Sequence, residues 1–156
     1  MPLEELDRTD LALLRELQAD ARLTVGELAD RVSLSTSPCW RRIKRLEEAG
    51  YIQAYRGILS AERLGYGITA FVNIMMESHN PDSCRVFEAR LAEIPEVISC
   101  HNVSGRYDFL LEVVAEDLKS FGEFARNVLQ PMPGVKEMYS SFSLKAVKDT
   151  RLLPLR

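Results

Sequence analysis

Hydrophobic positions keep a helical rhythm up to Gly50 and, after Gly67, an alternating rhythm broken by two further helical stretches. In residues 10–19, Leu11, Leu14 and Leu17 stand three apart, the spacing of one helix face. Thr24 is placed to cap a second short helix through Val25, Leu28, Ala29 and Val32. Ser33 and Leu34 make a turn into a third helix, which Ser35 can cap, Pro38 enters in its first turn and Gly50 stops. In that helix Cys39, Ile43 and Leu46 share one side, while Ser37, Arg41, Lys44 and Arg45 point the other way. Three short helices, the last two joined by a tight turn and the third basic, form the helix-turn-helix arrangement. Its final helix enters the major groove of double-stranded DNA.

Residues 51–59 alternate and predict a strand leading away from this unit, and residues 61–64 predict a single turn. Gly65 and Gly67 mark a boundary. Residues 67–77 then read as a strand apolar on both sides, with Phe71 and Met75 on the face that another subunit would cover. Asn80 and Pro81 open a helix whose Cys84, Phe87, Leu91 and Ile94 face inward until Pro95 ends it. Two strands, 97–103 and 107–115, are joined by the Ser104-Gly105-Arg106 turn. Asp117 caps a further helix with Leu118, Phe121, Ala125 and Val128 inward, and a long strand over 135–148 places Met138, Phe142, Leu144 and Ala146 on one face. The order β-α-β-β-α-β is the ferredoxin-like split unit, one antiparallel sheet with two helices on one face. The expected divisions are residues 1–50 for DNA binding, 51–66 as connector and 67–156 as a second domain.

Charge sharpens this picture. The 156-residue chain is net acidic, with a formal charge of −3, yet between Asp30 and Glu47 it has no acid and holds Arg31, Arg41, Arg42, Lys44 and Arg45. A basic stretch in an acidic protein calls for an explanation, either a solvated helix face or, in this helical context, a local anionic partner. Ser35, Thr36, Ser37, Arg41, Arg42, Lys44 and Arg45 are therefore the candidate DNA-contacting residues. Trp40 borders the core face and is expected to pack between helices.

Other chemistries find little support. There is no Gly-x-Ser-x-Gly, no His-Glu-x-x-His and no phosphate loop, the glycines form no nucleotide fingerprint, and His79 and His101 are isolated. No enzyme activity, cofactor or metal is expected. Cys39, Cys84 and Cys100 are odd in number and widely spaced, and read as reduced core residues rather than a disulfide framework. No apolar run approaches a membrane span and the first residues lack a signal-like pattern, so the expectation is a cytoplasmic protein without membrane contact. The turn at Gly105, Arg106, Tyr107 and Asp108 offers backbone amides and an acid that could hold an ammonium group.

Taken together, the chain resembles the Lrp/AsnC family, the feast/famine transcriptional regulators. The resemblance rests on Leu6 to Asp10, on Leu34 to Cys39 with Arg42, Leu46 and Gly50, on Val103-Ser104-Gly105 with Tyr107-Asp108, and on Pro133-Gly134-Val135. It implies an α+β protein: an N-terminal winged helix-turn-helix domain plus a C-terminal ferredoxin-like βαββαβ sensing domain. It also implies homodimers paired through their sheets, assembling to octamers, with an amino-acid effector bound between dimers. By the same resemblance, the effector site would use Ser104, Gly105, Arg106, Tyr107, Asp108, Ser140 and Ser141, with Asp108 pairing with the α-ammonium. Trp40 after Pro38-Cys39, together with Cys84, looks like a subgroup that includes cysteine-responsive regulators; leucine, methionine and other amino acids stay open. The reading is thus a DNA-binding transcriptional regulator of amino-acid metabolism tuned by a small effector. Its alternative is a metabolite-sensing module whose basic helix meets a protein partner.

Overall fold

A computed structural model describes residues 6–78 and 80–155. The expectations placed on the first five residues and on His79 lie outside the described residues. The chain forms two compact units, one of Met1–Ile58 with Lys148–Arg156 and the other of Leu59–Val147. Residues 148–155 thus group with the helical unit, within the span that the sequence reading gives to the second domain.

The helical unit contains α1 (Arg8–Ala19), α2 (Val25–Arg31) and α3 (Thr36–Glu48). Its capping chemistry sets the boundaries. Asp7 and Asp10 exchange side-chain and backbone bonds at the start of α1, and Thr24 and Glu27 do the same at α2. At the end of α3, Gly50 takes a φ of +77°, and the Gly50 and Tyr51 N–H groups return to the carbonyls of Glu47 and Leu46. Ser35 stands at the N-cap of α3 with extended backbone, but its side chain makes no capping bond, contrary to expectation. The reason is local: the third residue of the helix is Pro38, which has no N–H to give.

Leu13, Leu17, Leu28, Ala29, Cys39, Ile43 and Leu46 form this unit's core. On α1 the inward stripe is Asp10, Leu13 and Leu17, while Leu11 and Leu14 are half-buried beside it. Trp40 is not enclosed between helices; 53% of its surface is exposed, beside a cavity of about 280 Å³ that Leu23, Lys44 and Tyr55 also line. After α3 the expected connector strand is absent: residues 52–60 are without regular structure, and no described strand pairs with them.

The second unit begins with a single 3₁₀ turn, Glu62–Leu64, and continues as β1 (Ile68–Met76), α4 (Pro81–Leu91), β2 (Val97–Asn102), β3 (Phe109–Ala115), α5 (Leu118–Phe124) and β4 (Val135–Phe142). The sheet order is β2-β3-β1-β4, antiparallel throughout, as the split unit requires. Ala70, Val72, Ile74 and Met76 of β1 pack with Phe87 and Leu91 of α4 and with Phe121 of α5. The opposite face carries Phe71, exposed, and Asn73 and Met75, half-buried. Apolar patches of that kind mark interaction surfaces.

Three details differ from the expected pattern. A π-helical turn, Ala125–Leu129, follows α5 and inserts an extra residue, so Leu129 is buried where Val128 was expected; Leu118 is exposed in the first turn. β4 stops at Phe142 because its partner β1 begins at Ile68, and Ser143 donates a last bond to the Thr69 carbonyl. Leu144 is consequently 98% exposed instead of inward. Only Cys39 of the cysteines is fully buried; Cys84 is half-buried and Cys100 lies exposed on the edge strand β2.

Candidate functional site

Two groups of residues bear on function, one in each unit. In the first, α3 sets its basic side chains against the start of α1. Asp10 is buried, and both of its carboxylate oxygens meet guanidinium groups: Oδ1 accepts from Arg42 Nη1 at 2.8 Å and Oδ2 from Arg45 Nη2 at 2.6 Å. Arg42 Nη1 also donates to Asp7 Oδ2 at 2.6 Å. Burial of a carboxylate is tolerated when charged partners replace its water. The Asp10 N–H bonded to Asp7, followed by Arg42 beside it, holds the Asp7 carboxyl below its ordinary range. Hydrogen bonds to Asp10 and Asp7 push the Arg42 guanidinium up.

Arg42 and Arg45 are therefore tied down inside the unit and are not simply solvent-facing cations. Lys44 lies 3.6 Å from Glu47, and Arg41 is exposed with no ion-pair partner among the described residues. Pro38, Arg41, Arg42 and Arg45 line a concavity of about 370 Å³. Ser35, Thr36 and Ser37 are exposed at the N-terminal end of the same helix. Arg41, Arg42 and Arg45 thus share one concavity, with Ser35, Thr36 and Ser37 at the N-terminal end of the helix, whereas Lys44 lines the separate cavity beside Trp40. Sequence reasoning missed Asp10, although an acid in register with Leu13 and Leu17 was a legible signal.

In the second unit, Ser104 to Asp108 join β2 to β3. Gly105 takes a φ of +126°, which only glycine adopts readily. Asp108 is half-buried and knitted into the sheet: its N–H donates to the Ile74 carbonyl at 2.9 Å, and its Oδ2 accepts the Met76 N–H at 2.7 Å, where the β1–β4 register shifts. The Arg106 guanidinium sits 5.5 Å from the Tyr107 ring centre and 5.7 Å from that of Tyr139, and the two rings are 5.4 Å apart. Tyr139 donates to Glu137, which raises its hydroxyl above the usual range.

Register separates the two serines. Ser140 pairs with Val72 on the helix-covered face, whereas Ser141 pairs with Phe71 on the open face, in line with Tyr139 opposite Asn73. On the last strand, Tyr139 is the residue whose ring meets Arg106 and Tyr107 of the loop. The alternation of 137, 139 and 141 could have identified it. Among the described residues, no group of three His, Cys, Asp or Glu side chains is placed to hold a metal ion.

Comparison with known proteins resolves what this pairing of a basic helical unit with a sheet unit belongs to. Residues 69–153 match the Lrp/AsnC ligand binding domain, and residues 6–53 match a winged helix-turn-helix DNA-binding domain. The chain belongs to the Lrp/AsnC family. The Bkd operon transcriptional regulator of Pseudomonas aeruginosa is 42% identical over 97% of this chain and 99% of its own length. A leucine-responsive regulatory protein of Rhizobium meliloti is 43% identical over 93% of each chain. Among solved structures, a Neisseria meningitidis transcriptional regulator in complex with L-methionine superposes with a TM-score of 0.92 at 40% identity, covering 97% of both chains. This Lrp/AsnC protein is a DNA-binding transcriptional regulator with a ligand-binding domain. Among the described residues, no helix is long and apolar enough to cross a membrane.

Proposed function

We propose that this regulator reads double-stranded DNA through α3 and answers to an amino acid. The observation that carries the DNA side is the basic concavity of Pro38, Arg41, Arg42 and Arg45, flanked by Lys44 and the exposed Ser35, Thr36 and Ser37. Phosphate neutralisation by such a surface makes affinity fall steeply with salt. Arg41 is the residue to change first, because its removal breaks no ion pair with a described residue. Arg41→Ala should lower the salt slope of DNA binding by about one and leave the melting temperature unchanged. An unaltered slope removes Arg41 from the interface, and salt-independent binding by the wild type favours a protein partner.

On the effector side, the relative solved with L-methionine supports an amino-acid ligand for the family's second domain. Ser104, Gly105, Arg106, Tyr107, Asp108, Ser140 and Ser141 are the proposed contacts, and the open sheet face around Phe71 is the proposed dimer surface. Dimers of this kind are proposed to assemble to octamers in the cytoplasm. Both domains then meet their ligands in multiple copies, which compensates for the net negative charge of each chain.

A further inference from the structure

Resting on α3 as the DNA-reading helix, the geometry points to Asp10 as a positioning residue for sequence readout. We infer that it fixes the Arg42 and Arg45 side chains on the groove-facing surface. Asp10 lies on α1, its side chain is 1% exposed, and its two oxygens reach two guanidinium groups that stand three residues apart on α3. The arginines are not consumed by this. Their side chains stay 30% and 47% exposed and line the concavity with Arg41 and Pro38. Each planar fork is thus held by Asp10 while its side chain stays exposed at the surface that meets DNA.

A clamped arginine has already lost the rotamer freedom that a free one must give up when it docks on a base edge or phosphate, so its geometry is set before DNA arrives. Charge alone argues the other way. A carboxylate beside a phosphate-binding surface repels the ligand, so an acid kept here weakens sequence-independent attraction. Orientation therefore favours the correct sequence over any sequence, while the negative charge trims binding to both. The two effects separate specific from non-specific affinity, and a purely structural role separates nothing.

The test uses the full-length protein and two duplexes. One is recovered from a randomised pool by repeated selection with wild type; the other has the same length and composition in shuffled order. Fluorescence anisotropy at fixed salt gives both affinities. Asp10→Asn, which keeps the shape and removes the charge, should bind the selected duplex roughly tenfold or more weakly and the shuffled one as well as or better than wild type. Equal loss on both duplexes means only folded fraction has changed, and equal gain means only charge has changed; either overturns the proposal. Should Asp10→Asn fail to fold, Asp10→Glu keeps the charge and displaces the carboxylate, and must still lower the selected-to-shuffled ratio. A wild-type ratio there overturns the proposal equally. Failure of wild type to select any duplex would instead bring down the reading of α3 itself.

Discussion

The two units solve the same problem with unequal means. Among the described residues, seven buried side chains make the helical unit's core and fourteen make the sheet unit's core. Small cores leave little surplus after chain entropy is met, so the helical unit depends more heavily on polar devices. These are the Asp10 clamp, reciprocal capping at α1 and α2, and the glycine closure of α3. The sheet unit also caps its helices, through Asn80 and Asp117, but among the described residues its buried side chains are apolar. Two carboxylates show the contrast: Asp10 joins side chains between helices, whereas Asp108 satisfies a backbone N–H at a register shift within the sheet.

The largest expected effects come from the cores themselves. Leu13→Ala and Phe87→Ala each remove a fully buried side chain, at about 2–5 and 3–5 kcal/mol respectively. Trp40, the only tryptophan, lies in the helical unit, so its emission during urea unfolding reports that unit. Leu13→Ala should move the Trp40 transition to lower urea and abolish DNA binding, while Phe87→Ala should leave that transition in place. A Trp40 transition shifted as far by Phe87→Ala would show the two cores melting together, and the comparison would break.

Asp108 comes next. Alanine there leaves the Met76 N–H without its side-chain acceptor, which costs about 1–3 kcal/mol. The sequence reading placed Asp108 at the effector; the structure shows a backbone bond that Asp108→Ala would also remove. Asparagine separates the two, because its carbonyl oxygen can still accept from Met76 while the charge is gone. Asp108→Asn should melt close to wild type and lose at least tenfold in effector affinity by calorimetry with methionine, leucine or cysteine as titrant. Unchanged affinity for whichever of these the wild type binds would leave Asp108 with the sheet and without the effector.

Periodicity made the order of elements legible, and local chemistry made their starts legible: Thr24, Asn80 and Asp117 cap the helices assigned to them. What escaped depends on neighbours. Residues 51–59 alternate as a strand should, but a strand needs a ladder partner, and none of the described strands lies beside them. The end of β4 is set by where β1 begins, and the inward residue of the last helical segment is set by the π turn, neither of which spacing reveals. At the candidate sites, residue types were visible and pairings were not. The basic face of α3 could be counted, but its clamp needed Asp10 from 32 and 35 residues upstream. Ser140 and Ser141 could be named together, but strand alternation sends them to opposite faces.

The smallest effect concerns the chain's last segment, which lies in the helical unit. Gln18 on α1 brackets Leu153 through its side-chain amide: Nε2 donates to the Leu153 carbonyl at 2.9 Å and Oε1 accepts the Leu153 N–H at 3.0 Å. Arg15 adds a bond to the Leu155 carbonyl at 3.0 Å. A side-chain amide used this way imitates one rung of a β-ladder and gives the Leu153 N–H and carbonyl their partners. Both bonds are exposed, so water competes for them and their combined net contribution is about 1 kcal/mol. Gln18→Ala should therefore lower the Trp40 urea midpoint slightly at unchanged slope, and Gln18→Glu, which sets a second acceptor against the Leu153 carbonyl, should lower it at least as much. In the large-core unit an exposed pair of this size would be lost in the total. If the helical unit leans on its polar devices as argued, the midpoint shift is measurable there; a midpoint identical to wild type in Gln18→Ala would show that the tail contributes nothing to it.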